Sequence, residues 1–410
     1  MQRRNLLQGL MAAPWVWPLS SLAESTATTV ARRKIIVVGA GAFGGWAALN
    51  LARSGADVTL VEAWAAGHPR SSSGGETRVI RHMYADALYA RMAARSLSLF
   101  DQAETEWNRP LLHRSGVLFL GQSEASGYFE AGMDALRGRQ IDFVHLDREA
   151  VAARWPQIAL DRIDQATYEP QSGYLLARRT CHAVVEAFQR SGGKLIRGQA
   201  TPGRIRAGRL ESIRLADDRI VSGDDFVFAC GPWLPGLFPE LLGPLLKTSR
   251  QEVYYFGTPA GDSAHDEGAM PVWADFGQRI WYGIPGSERR GFKIADDTHG
   301  APIDPERAER TPSPRGIEAA RDYLAQRFPA LAGAPLIDAR VCQYTNTGTG
   351  DFIVDRHPEA ANLWLVGGGS GHGFKHGPAL GEMIAESVLG EHIVEPMFTL
   401  VRQQRQQDQA

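Results

Sequence analysis

The sequence predicts an α/β chain, α+β in its totals, in which a mainly antiparallel sheet is inserted into a parallel one. Three observations predict it. Near the N-terminus an apolar strand runs straight into closely spaced glycines, "KIIVVGAGAFGG". Passages in which glycines join a strand and a helix return much later, helix first in "VVEAFQRSGGKLIRG" and strand first in "ANLWLVGGGSGHGFKHGPALGEMI". The segments between them instead alternate apolar and polar residues, with aromatic clusters such as "VYYF" and "IWYG". At 410 residues the chain can hold two domains and a sizeable core. Its 44% apolar and 22% charged residues match a globular protein, and a net charge of -2 gives no reason to expect a nucleic-acid or anionic-membrane partner.

The first passage builds in order. Lys34 to Val38 reads as a short buried strand, followed by Gly39, Gly41 and Gly44 in GxGxxG spacing. Phe43, Ala47 and Leu51 form a helical stripe that Gly55 can end, and Val58 to Val61 make a second strand closing at Glu62. That is a complete βαβ dinucleotide unit, Rossmann-like. The glycines permit the tight turn and close backbone approach, the helix N-terminus faces a pyrophosphate, and Glu62 is placed for ribose hydroxyls. NAD and FAD both fit it.

In "RRTCHAVVEAFQRSGG", Cys181, Val184, Val185 and Phe188 share one helical face and Gly192 and Gly193 end the helix. "DFVFAC" reads as another buried strand. The last passage favours FAD. Backbone N–H groups of the loop around Gly371 and Gly373, and the positive end of a helix begun near Pro378, stabilise negative charge. A reduced flavin carries such charge on its pyrimidine ring and a nicotinamide does not. The resulting partition is a discontinuous FAD-binding domain at 33–115, 169–249 and 337–392, a substrate-binding domain at 116–168 and 250–336, and a polar tail at 393–410.

Residues 1–23 read as an export leader: Arg3 and Arg4, an apolar run broken by Pro14 and Pro18, then small residues ending at Ala23. The paired arginines point to the twin-arginine route and a periplasmic protein with no stable membrane anchor after cleavage. An oxidising compartment sits awkwardly with three cysteines. Cys181 and Cys230 read as core, with a disulfide between them left open. Cys342, in the polar stretch "VCQYTNTGTG", has no comfortable structural role.

The motifs "GAGAFGG", "ETRVIRHMY", "YGIPGSERRGFK", "VCQYTNT" and "SGHGFKHGP", in that order from about Arg33 to Gly390, resemble the flavin-dependent amine oxidases typified by monomeric sarcosine oxidase and N-methyltryptophan oxidase, D-amino-acid-oxidase-like flavoproteins. The resemblance implies that Cys342 bonds the flavin covalently through sulfur, a step suited to a thiolate nucleophile. It implies that Arg81 and Lys375 hold a substrate carboxylate, with Lys375 also belonging to the flavin-binding loop. It assigns oxygen activation to Lys293, a flavin-side supporting role to Arg78, and the pocket walls to Tyr282 and Tyr344. No metal is implied, and His372 reads as a loop residue making one hydrogen bond.

The implied reaction oxidises the C–N bond of a secondary or N-methyl amino acid to an imine, hydrolysed to aldehyde and amine, with O2 reduced to H2O2 by a monomer. The sarcosine-oxidising members carry histidines at the positions of Gly74 and Asp297, which leaves the particular amine open. A dehydrogenase passing electrons to another acceptor, and a flavin-binding protein without turnover, are the rival readings.

Overall fold

The structure is a computed structural model that describes residues 32–408. The expected leader lies outside the described residues.

The expected βαβ unit forms as strand β1 (Lys34–Val38), helix α1 (Ala42–Arg53) and strand β2 (Asp57–Glu62). β1 lies inside a six-stranded sheet, parallel to β2 on one side and to Asp225–Phe228 on the other. Ile35 to Val38 are all buried, as an unalternated apolar run in an interior parallel strand requires. Lys194–Arg197 extends the sheet beyond β2, and Ala360–Gly367 extends it beyond Asp225–Phe228, both in parallel. The hairpin strand Ile353–His357 closes that edge antiparallel. Helix α1 packs against the late helix Gly377–Leu389, where a Cβ at Gly381 would stand 2.6 Å from Trp46 Cβ.

The aromatic, alternating segments form an eight-stranded sheet. In spatial order its strands are Leu336–Asn346, Lys247–Phe256, Phe292–Asp296, Ile280–Ile284, Val272–Phe276, Val117–Gly121, Gln165–Glu169 and Val144–Leu146. All pairings are antiparallel except Val117–Gly121 beside Val272–Phe276. A cluster around Trp273, Phe292 and Phe328 backs this sheet. A small third sheet pairs Thr77–Ile80 with Gly173–Leu176, bringing the "ETRVIR" motif up against it.

Two boundaries differ from the sequence reading. Residues 337–346, assigned to the nucleotide half, pair along Lys247–Phe256 in the antiparallel sheet. Cys342 therefore sits in an eleven-residue strand opposite Gln251. Alternating β-branched and aromatic residues in "RVCQYTN" prevail over the turn-forming glycines that follow. The polar tail is likewise docked. Phe398, Leu400 and Gln403 are buried, and Leu400 N donates to Asp355 at 2.8 Å at the start of the helix Leu400–Asp408. All three cysteines are free.

Candidate active site

Two adjoining cavities occupy the seam between the sheets. One, of about 360 Å3, opens above β1 and α1; the other, of about 310 Å3, lies against the antiparallel sheet. Arg78, Tyr344, Gly371 and Phe374 line both, so the two share a wall.

The first cavity is a cradle of backbone. Gly39 has φ +103, and a Cβ there would stand 2.5 Å from Ala229 O; at Gly44 it would stand 2.0 Å from Gly39 O. Strand and helix touch at these points, which clears the cavity floor at Gly41. Ser73 Oγ accepts from Ala42 N at 3.0 Å, and Glu62 accepts from Ala40 N at 2.7 Å and Trp64 N at 3.0 Å. Trp64 and Trp233 pack with centroids 4.9 Å apart on the wall, and Trp233 Nε1 is buried without a partner among the described residues. At the far end Gly369, Gly371 and Gly373 line the cavity with main chain. A Cβ on Gly371 would meet Tyr344 at 2.7 Å, and one on Gly373 would meet Phe43 at 2.7 Å. A long, glycine-floored trough with an acid at the end of the second strand fits FAD, with its ring system toward the shared walls.

At the junction, Arg78 donates to the carbonyls of Thr77 (2.8 Å), Ser72 (2.7 Å) and Gly74 (2.5 Å), and lies 3.8 Å from Cys342 Sγ. Gly74 cannot take a side chain here, since a Cβ would meet His68 O at 2.3 Å. Lys293 is buried beneath these groups and donates to Thr77 O at 3.0 Å. Burial, then the Arg78 charge, lowers its pKa to about 7, while Cys342 pulls the other way. It does not line either cavity; Tyr282, whose ring centroid is 5.5 Å from Lys293 Nζ, does.

The second cavity is lined by Arg81, Lys375, Tyr282 and Tyr344. Tyr84, not singled out beforehand, organises them. The Arg81 guanidinium lies 4.0 Å over its ring, and its hydroxyl meets Lys375 Nζ at 3.1 Å, His376 Nε2 at 3.0 Å and His372 Nδ1 at 3.3 Å. Arg81 Nη1 is buried without a partner among the described residues. Lys375 also donates to His372 O at 2.9 Å; burial and the Arg81 charge hold its pKa well below normal. These are not solvated surface charges. His372 makes two contacts, the second from Nε2 to Gly350 O at 3.0 Å, and burial with Lys375 nearby lowers its pKa to about 3. It is a neutral structural link.

Two acids complete the site. Tyr344 donates to Asp297 Oδ1 at 2.8 Å inside the cavity, and burial raises the Asp297 pKa. Glu169, fully buried, accepts from His82 N at 2.8 Å and Met83 N at 2.7 Å, and so fixes the chain just after Arg81. Among the described residues no cluster of acids, histidines or cysteines could hold a metal.

A glycine-floored nucleotide trough that shares a wall with a charged pocket defines the class, a dinucleotide-dependent redox enzyme. The chain belongs to the family described as FAD dependent oxidoreductase, whose model matches residues 34–387. It is an FAD-dependent oxidoreductase of the sarcosine-oxidase type. It is 29% identical over 367 residues to the monomeric sarcosine oxidase of Bacillus sp. (strain B-0618), covering 87% of this chain and 92% of that protein. It is 29% identical to human peroxisomal sarcosine oxidase, covering 86% and 90%, and 27% identical to N-methyl-L-tryptophan oxidase of Salmonella heidelberg (strain SL476), covering 87% and 95%. In fold it matches L-proline dehydrogenase from P. horikoshii with a TM-score of 0.80 at 20% identity, covering 91% of this chain and 98% of that one. NikD, an amino acid oxidase of nikkomycin biosynthesis, matches with a TM-score of 0.75 at 19% identity, covering 89% and 96%.

Proposed function

We propose that the protein oxidises the C–N bond of a secondary or N-methyl α-amino acid to an imine, which water hydrolyses to an aldehyde and an amine, with O2 reduced to H2O2. The observation that carries this reading is the Arg81 Nη1 group, buried and without a partner among the described residues, in a cavity that shares a wall with the FAD trough. A buried guanidinium donor without a partner is costly, and a substrate carboxylate supplies one. FAD, when bound, supplies the two-electron acceptor.

The chain's own residues do the rest. Arg81 and Lys375 hold the carboxylate, and that anion restores the Lys375 charge that burial suppresses. Tyr282 and Tyr344 wall the amine side and exclude water. Lys293 sets positive charge where negative charge develops on dioxygen, without reorganisation. Cys342 tethers the flavin through sulfur; its place on the cavity wall beside Arg78 supports this.

Holoenzyme mixed in air with a panel of N-methyl and cyclic secondary amino acids produces peroxide, and the matching amines without a carboxylate do not. No peroxide while flavin is still reduced would assign the dehydrogenase alternative. Acid precipitation leaves the yellow colour in the pellet; colour released in full to the supernatant removes the tether. Residues 1–23 support twin-arginine export to the periplasm, checked by cell fractionation with Arg3 and Arg4 replaced by Lys. Among the described residues no helix is long and apolar enough to cross a membrane.

A further inference from the structure

The amine nitrogen poses a separate chemical problem. An amino acid arrives with a protonated nitrogen, and its C–N bond cannot be oxidised until that proton leaves. We infer that Asp297 pairs with the substrate ammonium and accepts this proton, a catalytic role resting on the amino-acid reading above.

Asp297 follows the strand Phe292–Asp296 and lines the same cavity as Arg81 and Lys375. Its backbone N donates to Ile280 O at 2.8 Å, so the chain that carries it is fixed. Oδ1 takes the Tyr344 hydroxyl at 2.8 Å, and Oδ2 has no hydrogen-bond partner among the described residues. The groups that face it are Tyr344 and Tyr282, Lys375 from the C-terminal loop, Arg81 with Tyr84 and Tyr128 on the opposite wall, and His299. A pocket that sets Arg81 against one carboxylate without an ion-pair partner is complementary to a zwitterion: the carboxylate goes to Arg81 and the ammonium to Asp297.

Other acceptors are engaged. Both His372 nitrogens are in hydrogen bonds, Lys375 sits beside Arg81, and Tyr344 spends its proton on Asp297. Of the other lining carboxylates, Asp296 is paired with Arg279, and Glu252 with Arg250 and Tyr254. In the step, the N–H bond of the ammonium breaks and an O–H bond forms on Oδ2. The ammonium becomes a neutral amine and the carboxylate a carboxylic acid; no electrons are exchanged. Burial raises the Asp297 carboxyl, which makes it a better base near neutral pH.

The test is anaerobic flavin reduction by an N-methyl amino acid across pH, in wild-type holoenzyme and Asp297→Asn. In the wild type the rate falls as pH drops through the Asp297 pKa, because the acid form accepts no proton. In Asp297→Asn the rate near pH 7 is lower by about a hundredfold, the scale of a lost general base. It recovers toward wild type above the amine's own pKa. Loss by the same factor at every pH, or an unchanged profile, overturns the assignment.

A second measurement needs neither turnover nor the variant. Two analogues without an α-hydrogen, 2-(methylamino)isobutyrate and its 2-methoxy counterpart, which keeps the carboxylate and lacks the ammonium, are titrated into wild-type holoenzyme while the flavin spectrum is followed. Binding of the amine tightens at least tenfold as pH rises through the Asp297 pKa, and binding of the ether does not. Parallel pH dependence of the two overturns the Asp297 role alone. Failure of both to bind overturns the amino-acid reading and Asp297 with it.

Discussion

The two cavities are built from different materials. The nucleotide trough is main chain: glycines at 39, 41, 369, 371 and 373 and few charges apart from Glu62 and Arg78. The second cavity is side chain, with Arg81, Lys375, Asp297 and the tyrosines projecting from strands and a loop far apart in sequence. Backbone recognition depends on close approach and fails when any atom is added. Side-chain recognition depends on charges held out of water, so it fails by degrees and with pH.

The largest effect should come from the trough. Gly44→Val puts branched carbons where a single Cβ already meets Gly39 O at 2.0 Å. The purified variant is expected to carry essentially no flavin absorbance at 450 nm, whereas the comparison breaks if it retains wild-type occupancy. Next is Arg81→Met. Two charge-assisted bonds at about 1.5–3 kcal/mol each, partly offset by relief of the buried charge, place the loss in flavin-reduction efficiency on the order of a hundredfold or more. Flavin content should stay unchanged, since Arg81 does not line the trough.

Lys293→Met should slow reoxidation of reduced enzyme by O2 on the order of a hundredfold, with the rate of reduction within a few-fold of wild type. In wild type the same step should slow as pH rises through the Lys293 pKa. That pKa is about 7 in the ligand-free protein, and an adjacent anion moves it up; the lysine is cationic below it and neutral above. A flat oxygen-reactivity profile from pH 6 to 10 would remove Lys293 from the step. The smallest effect belongs to Glu62→Gln, which keeps the shape that accepts from Ala40 and Trp64 and loses only the charge. FAD affinity measured by fluorescence quenching in a Cys342→Ser background should weaken by roughly tenfold, the value of one charge-assisted bond.

Sequence patterns exposed the trough more fully than the pocket. β1, α1 and β2 are local, so strand, glycine spacing, helix stripe and terminal acid all appear within thirty residues in a row. Arg78, Arg81, Lys293, Cys342 and Lys375 emerged through motifs rather than periodicity, since nothing local brings them together. Tyr84 went unnoticed although it stands three residues after Arg81. Its importance lies in meeting Lys375, His372 and His376, nearly three hundred residues away. Glu169 was invisible for a like reason: it acts on backbone N–H groups at His82 and Met83. Asp297 stood out only as a departure from the family pattern, and its neighbours give that departure meaning. The strand around Cys342 and the docked tail were misread because glycine, threonine and glutamine content reports average polarity, not which face is buried.

The most direct measurement is anaerobic stopped-flow reduction of the holoenzyme by an N-methyl amino acid and, separately, by its carboxamide. With the carboxylate held by Arg81 and Lys375, the acid bleaches the flavin and the amide does so at least a hundredfold less efficiently. Equal bleaching by both, or bleaching by neither across the secondary amino acids, would contradict a pocket built to hold an amino-acid carboxylate beside FAD.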